Sequence, residues 1–582
     1  MSISVFGESP LQAEDKTIHT FETVELTDTY FSEGAGAGDI NGDGEMDIVY
    51  GPYWFAGPDF QAKHEIRKPV PQDRNRYADN FFSWVNDFSG DGHADIFVVG
   101  FPGTPASVYE NPGSDANGKE YHDSHWKQHQ VIDWVSNESP QLVDIVGDER
   151  PELVCTRDGM YGFATIDWKD GLKPWTFHPV SEQIAASRFG HGLGVGDING
   201  DGLNDILFAG GWLEQPSKSA TTTRWRRHEI KFSTAYGGAE MFAYDVDGDG
   251  DNDVITSEAA HDFGLSWYEQ IRDNGQIIFQ QHLIMGSHPA ENRYGVLFSE
   301  LHSVALSDID GDGLKDIVTG KTYWSHHRQS PMWDAGAVVY WFKLERSEQG
   351  VNWIPYRAAS DTGIGRQVNV VDVNHDDLPD IVLGGMKGGH VLLHRATSVS
   401  QAVWDAAQPK LYDGPKLPSL ENVSRKRGPK SGGIRLASGN ANLIEGEALK
   451  PEVSAGAVRS QSMSGFGGDH WSGDAQLFWT GATRGDTLTI DLPELAGSVK
   501  LEAILTCARD YGIVQFLIDD ETLGDPIDLY ESNVETTGRI SLGEFSAAGS
   551  HRLRVQIAGA NPRAKQSMMF GLDCLIIRPV ND

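Results

Sequence analysis

The chain has 582 residues, 84 acidic against 47 basic side chains, and a formal net charge of −37, a balance that excludes nucleic acid or an anionic membrane surface as the main partner. Its three cysteines, Cys155, Cys507 and Cys574, are too few for a disulfide framework, although Cys507 and Cys574 lie in one region and could pair. No run approaches the ~18 consecutive apolar residues of a membrane-spanning helix, and the length allows two or more domains.

The N-terminal stretch to Ala13 is too polar for a signal peptide as it stands, yet Leu11-Gln12-Ala13 before Glu14 resembles the tail of a cleavage site, consistent with a leader upstream and with export. From there to about residue 380 one acidic loop recurs. Its fullest copy is Asp245-Val246-Asp247-Gly248-Asp249-Gly250-Asp251-Asn252-Asp253. Oxygen ligands at positions 1, 3, 5 and 9, with Gly at 6, suit a hard cation: Ca²⁺, or Mg²⁺ as the alternative. The flanks are short apolar runs that read as strands, so the loop is a β-hairpin tip and not an EF-hand.

First aspartates fall at Asp39, Asp87, Asp144, Asp197, Asp245, Asp308 and Asp372, spaced by 48 to 64 residues. Self-similarity of this period in short strands predicts an all-β, seven-bladed β-propeller over residues 14–400. Four copies carry full ligand sets: Asp39/Asn41/Asp43/Asp47, Asp197/Asn199/Asp201/Asp205, Asp245/Asp247/Asp249/Asp253 and Asp308/Asp310/Asp312/Asp316. Asp87/Ser89/Asp91/Asp95 is adequate, Asp372/Asn374/Asp376/Asp380 has Asp377 where Gly is wanted, and Asp144/Val146/Asp148/Glu152 lacks a ligand. Four to six bound ions are expected, and Ca²⁺ loops of this kind fit a periplasmic or extracellular setting.

A second repeat, typified by Trp225-Arg226-Arg227-His228-Glu229-Ile230, precedes each next blade. It reads as the outer strand, its aromatic packed between blades and its histidine a packing residue. The missing member is His19-Thr20-Phe21-Glu22-Thr23-Val24, so the first strand is expected to close the last blade beside His390-Val391-Leu392-Leu393. Residues 401–437 turn Pro/Gly-rich and basic, a linker by composition. Residues 438–582 alternate strand patterns with Gly/Asp turns, which predicts a β-sandwich of jelly-roll type.

Six residues upstream of each loop, ~20 Å along the innermost strand, lies the opposite end of the ring. The residues there are Glu33, Phe81, Glu138, His191, Ala239, His302 and Arg366. Segments after the second strands reach the same face and offer Tyr53, Trp54, Arg157, Trp212, Glu258, His261, Lys321, Trp324, His326 and Lys387. His191, His261 and His302 come from three consecutive blades, the pattern of a catalytic Zn²⁺ with positions left open. Glu138, Glu240 and Glu258 are available to orient the imidazoles. Trp54, Trp212 and Trp324 would offer flat faces to a sugar ring, with Arg157, Arg366 and Lys387 as polar contacts. The bland alternative is that the histidines cap strand ends.

The loops, with Gly38-Asp39-Ile40-Asn41-Gly42-Asp43-Gly44 as example, resemble FG-GAP/VCBS repeats from residue 19 to about 400. More narrowly, Phe189-Gly190-His191-Gly192-Leu193-Gly194, the Glu258–His261 segment and Leu301-His302 are similar to the propeller of aldos-2-ulose dehydratase. That resemblance implies a Zn²⁺ in the propeller cleft and dehydration of 2-keto sugars such as 1,5-anhydrofructose. No cupin domain is visible, so the isomerisation found in that family is not implied. The C-terminal region resembles jelly-roll carbohydrate-binding modules, which implies a structural Ca²⁺ on Glu445, Glu447 and Asp573.

Three readings follow. The first is a Zn²⁺-dependent carbohydrate hydro-lyase with Tyr53, Glu138 and Lys321 as candidate acids and bases. The second is a non-enzymatic glycan-binding or adhesion ring, since fold alone carries no chemistry. The third is a polysaccharide lyase using Arg157, Arg366, Lys321 and Lys387 as carboxylate clamps.

Overall fold

The computed structural model describes residues 16–113, 125–217, 224–233, 237–323, 330–420, 422–428, 442–466, 469–561, 563–565 and 567–580. Leu11-Gln12-Ala13, Trp324 and His326 lie outside the described residues. The chain divides into two compact units, Met1–Tyr412 and Asp413–Asp582.

The first unit is a β-propeller. Its described strands form seven four-stranded antiparallel blades, two of which join through parallel pairing of Leu193–Gly196 with Glu240–Tyr244. The second strands, such as Asp47–Tyr50, Asp205–Phe208 and Asp253–Ser257, are buried along their whole length. A sheet covered on both faces gives continuous apolar runs where a half-exposed sheet would alternate. Each seam between consecutive blades is one apolar cluster. Trp126 fills the first seam, Trp175 the second, Trp225 the third and Trp353 the fifth. The last seam joins Val373, Val382 and Val391 to Phe31, Ile48 and Phe55.

Closure is as the sequence predicts. Lys16–Thr27 runs antiparallel to Gly389–Val399, with Glu22 opposite Leu393 and Val24 opposite Val391. The outer-strand histidines are packing residues. Trp54 stacks on His64 at 4.2 Å, Trp212 on His228 at 3.9 Å and Trp267 on His282 at 4.3 Å. A glutamate two positions past the third-strand residue receives the ring nitrogen in three blades: Glu110 for His129, Glu214 for His228 and Glu269 for His282.

The acidic turns are built from bonds within the chain. The first aspartate accepts the N–H of the fourth and sixth loop residues, as Gly42 and Gly44 on Asp39 or Gly200 and Gly202 on Asp197. Blade three forms the same turn, Gly147 and Glu149 donating to Asp144, despite Val146 at a ligand position. The ninth residue is buried and braces two strands: Asp205 accepts from Ile198 and Gln215, and Asp253 from Val246 and Gln270. Burial pushes both carboxyls up to about 7. At Asp377, which replaces glycine, φ is +63°, a cost the two N–H bonds of Asp376 and Asp377 to Asp372 help offset.

The second unit is a β-sandwich. Its two sheets run Ala457–Ser462, Ala475–Thr480, Phe570–Pro579, Leu495–Cys507, Glu535–Gly549 and Glu452–Val453, Thr487–Asp491, Arg552–Gly559, Ile513–Ile518, Glu521–Thr522. Cys507 and Cys574 are free and buried. Register explains why they do not pair: Ile504, not Cys507, stands opposite Cys574. The sheet also separates them, Cys507 facing the inter-sheet core and Cys574 a small outer cluster. Described parts of the predicted linker have structure of their own. Gln401–Ala407 is a helix, and Ser424 and Gly428 bond to the backbone of Pro526 and Thr537 within the second unit.

Candidate functional site

The residues six before each loop are all buried. Among them His191 and His302 precede the innermost strands of blades four and six, and His261 lies in the loop after Asp253–Ser257 of blade five. Close backbone approach brings these segments together. The Ala260 N–H bonds to Gly237 and that of Glu300 to Asp262. A side chain on Gly237, at φ +84°, would stand 2.0 Å from the His191 carbonyl.

The three imidazoles converge. His261 Nε2 lies 3.1 Å from His191 Nε2, and His261 Nδ1 lies 3.1 Å from His302 Nε2. One nitrogen from each ring falls within 4.8 Å of the others. A tetrahedral Zn²⁺ with 2.0–2.1 Å bonds needs one nitrogen from each ring about 3.3 Å from the others; the two short contacts use opposite nitrogens of His261, so its ring must turn to present one of them to both neighbours. His302 Nδ1 sits 3.2 Å from the Glu300 carbonyl, which fixes the tautomer leaving Nε2 as the lone pair facing its neighbours. Burial, then Arg366 and the other two histidines, holds His302 well below the ordinary imidazole range, so it stays neutral and ligand-ready. The donor set therefore fits a divalent ion such as Zn²⁺.

Around it the charged residues are committed in ways the sequence hides. Arg366 crosses from blade seven to pair its Nε with Glu138 of blade three at 2.9 Å, both side chains buried. Its guanidinium lies over Tyr77, and among the described residues Nη1 and Nη2 have no hydrogen-bond partner. Tyr30 donates to Glu33 Oε1, while Glu33 Oε2 is buried and unpartnered. Burial raises the Glu33 carboxyl, partly countered by Arg366. Glu240 accepts the Val304 N–H at 2.7 Å, and burial pushes its carboxyl up to about 7. Glu240 thus ties blade five to the strand carrying His302, while Glu258 accepts from Ser266 and Gln281 within blade five.

Several predicted roles are corrected. Lys321 is buried in an ion pair with Glu300 and also donates to the Thr322 carbonyl, so it braces the His302 segment. Tyr53 contacts Phe31, Phe55 and Lys63, all of blade one. Trp54 and Trp212, each 2 % exposed, belong to the seams of blades one and two and of blades four and five. Their faces are taken by His64 and His228, so neither is a sugar platform. Arg157 pairs with Asp133 at 2.9 Å and lies over Trp134. Lys387 lies over Tyr323. Sequence reasoning misses Glu33 and Tyr30 as site residues, although Glu33 stands at the per-blade axial position.

Among the described residues, three carboxylates gather within ligand distance in two loops: Asp245, Asp247 and Asp253 in the fifth, and Asp308, Asp310 and Asp316 in the sixth. The expected fifth-position ligands Asp249 and Asp312 stand outside these groups, their carboxylates accepting the N–H of Asp251 and Leu314.

The loops differ at their third position. Loops five and six have Asp there, which cannot donate, whereas the first, second, fourth and seventh have Asn or Ser, which can. The Asn41 amide donates to Asp43 at 2.9 Å and that of Asn199 to Asp201 at 3.1 Å. Each asparagine oxygen is also engaged, accepting the N–H of Asp43 or Asp201. Ser89 donates to Asp87 at 3.2 Å, and its Oγ accepts the Asp91 N–H at 3.4 Å. In the seventh loop the Asn374 oxygen accepts the Asp376 N–H at 3.1 Å. The buried ninth residues of these loops, Asp47, Asp95, Asp205 and Asp380, accept backbone N–H groups as strand braces.

The sixth loop differs again: Lys343 extends onto Asp310 and lies 2.6 Å from Asp312. In the second unit the Asp573 carboxyl accepts the Ser472 N–H, and Ser472 donates to Glu445. Oε2 of Glu445 and of Glu447 is buried without a partner. Burial, with Glu445 and Glu447 nearby, pushes Asp573 up to about 8, as expected where carboxylates crowd together.

No family model matches the chain. Among solved structures, an exo-β-1,3-galactanase from Phanerochaete chrysosporium aligns over 96 % of this chain and 99 % of its own at 12 % identity, with a TM-score of 0.27. An Agrocybe aegerita lectin specific for non-reducing terminal N-acetylglucosamine covers 60 % and 87 % at 14 % identity and TM-score 0.32. A Paenibacillus xanthan lyase covers 83 % and 46 % at 10 % identity and TM-score 0.21. At these scores the likeness decides neither fold nor chemistry, which rest on the strands and side chains above.

Proposed function

We propose that the ring centre is a Zn²⁺-dependent hydro-lyase site for a keto sugar, of the kind the aldos-2-ulose dehydratase resemblance implies, on a Ca²⁺-loop propeller of FG-GAP/VCBS type. The observation that carries this reading is the meeting of His191, His261 and His302; a ring that only presents a ligand has no need of three converging imidazoles. Zn²⁺ held there supplies a Lewis acid that polarises a carbonyl and eases loss of the neighbouring proton. Glu33, with a free carboxyl oxygen and Tyr30 on the other, is the acid–base group we assign, in place of Tyr53 and Lys321. Arg366 offers two N–H arms to substrate oxygens that carry negative charge. Glu138 acts through Arg366 as its positioning partner. The carbohydrate-binding-like second unit fits the same substrate class.

The test is metal analysis of protein purified without chelators, with ultraviolet detection of unsaturated product from 1,5-anhydrofructose. About one tightly held Zn²⁺ per chain is expected, lost with activity in His191→Ala and His302→Ala. Protein free of Zn²⁺, or unchanged turnover in His191→Ala, would refute the proposal.

A further inference from the structure

Buried polar atoms in folded proteins nearly always have partners, and each exception calls for an account. Several such exceptions sit at the end of the ring where the histidines meet: Arg366 Nη1 and Nη2, Glu33 Oε2, Asn137 Nδ2 and Ser139 Oγ. Arg366 is the extreme case. It is 0 % exposed, its Nε is satisfied by Glu138, and its outer fork makes no hydrogen bond. Glu33 does not fill that fork, because Oε1 is taken by Tyr30 and the Ala78 N–H, and Oε2 has no partner.

The unfilled groups are complementary to one kind of ligand. A guanidinium fork with two parallel N–H arms matches two coplanar oxygens better than a single hydroxyl does. A free carboxylate oxygen beside it calls for a donor. We infer that the ring centre takes a keto sugar that also carries a carboxylate, with the carboxylate on Nη1 and Nη2 of Arg366 and a hydroxyl on Oε2 of Glu33. Gly365 sets the distance between these two residues: the Arg366 N–H bonds to the Glu33 carbonyl at 2.7 Å, and a side chain on Gly365 would stand 1.7 Å from that oxygen. Blades seven and one are therefore locked together at the site, and the fork and the carboxylate keep a fixed spacing.

This deepens the hydro-lyase reading, and rests on it, by naming the acidic group of its substrate, but the arginine–carboxylate contact does not depend on metal. Calorimetric titration of the full chain with D-glucuronate and with D-glucose tests it, both as purified and after chelator treatment. Glucuronate is expected to bind at least about tenfold tighter than glucose in both preparations, a preference lost in Arg366→Met and partly kept in Arg366→Lys. Because Arg366→Met leaves Glu138 buried and unpaired, the native comparison and the lysine variant decide the matter if the methionine variant fails to fold. Equal affinities, no binding of glucuronate, or a preference surviving in Arg366→Met would overturn the inference. Protein that is free of Zn²⁺ already as purified and still prefers glucuronate would refute the metal reading alone.

Discussion

The sixth acidic loop gives the sharpest test of how far repetition can be trusted. By composition it has a full ligand set, Asp308, Asp310, Asp312 and Asp316. Yet the Lys343 ammonium lies on Asp310 and Asp312. Strand register identifies its counterparts, because the residue after it donates to the ninth aspartate in each blade: Leu344 to Asp316, Gln270 to Asp253, Gln215 to Asp205 and Asn111 to Asp95. Lys343 therefore corresponds to Glu269, Glu214 and Glu110. Blade six alone of these carries a cation there. A Ca²⁺ entering this loop must displace two partly buried ion contacts, each worth at least the about 0.5–1 kcal/mol of a surface pair. That predicts roughly a tenfold weaker site than loop five, which has the same Asp at its third position. In Lys343→Gln the ammonium is gone while the four carboxylates remain, so Ca²⁺ titration by calorimetry should show one additional site in the class of loop five. The reciprocal change, Glu269→Lys, should weaken loop five by a similar factor. Identical Ca²⁺ stoichiometry and affinities in wild type and Lys343→Gln would refute the reasoning.

Two further outcomes follow from burial. His390, paired across the closing strand with Glu25, is held at about 4 by burial and then by Lys387. It stays neutral in the folded ring while the unfolded chain takes up a proton below about 6.5, so stability is lost as pH falls from 6.5 towards 4, by about 2 kcal/mol at pH 5. His390→Gln should lessen the acid sensitivity seen in urea unfolding at pH 7 and pH 5, and an unchanged difference between the two would contradict it. Trp212→Ala opens a cavity in the seam of blades four and five and should cost about 3–5 kcal/mol, measured by denaturant unfolding, while metal content and sugar affinity in the folded fraction stay unchanged. Normal stability with lost sugar binding would restore Trp212 to the site.

The ring is legible in the sequence because its signals are local and repeated: loop aspartates at fixed offsets, an aromatic before each blade, and an orphan strand pattern at His19–Val24. The three histidines are legible for the same reason, as offsets from the loops place their backbone. Side-chain commitments are not. Trp54 and Trp212 look like platforms until His64 and His228 are seen stacked on them, a pairing between strands that composition does not report. Asn199 counts as an oxygen ligand in the pattern, yet its amide is also a donor, and Asp201 two positions on receives it. Lys321 reads as a base until Glu300, 21 positions earlier, is found against it. Lys343 is invisible as a loop partner because 31 and 33 positions separate it from Asp312 and Asp310. Composition misleads around residues 422–428 because Pro and Lys mark solvent exposure, not absence of backbone partners, and Ser424 bonds to Pro526 across a long separation.

The two ends of the ring are joined by short rigid rods. The strand after His302 runs Val304–Ser307 and leads directly into Asp308, and the strand after His191 runs Leu193–Gly196 into Asp197. Each rod is pinned at its far end by the ninth aspartate of its loop, which bonds the loop and the third strand together. Near the histidines, Glu240 pins the Val304 N–H and Lys321 pins Glu300. A metal or substrate site needs its donors fixed to within about 0.5 Å, and loops alone seldom achieve this. Here the repeated turn does so by hydrogen bonds that form even in blade three, where a ligand is missing. The acidic loops thus contribute to the geometry of the histidine cluster at the opposite end, and the feature that makes the repeat conspicuous in sequence is also what holds the unrepeated histidines in place.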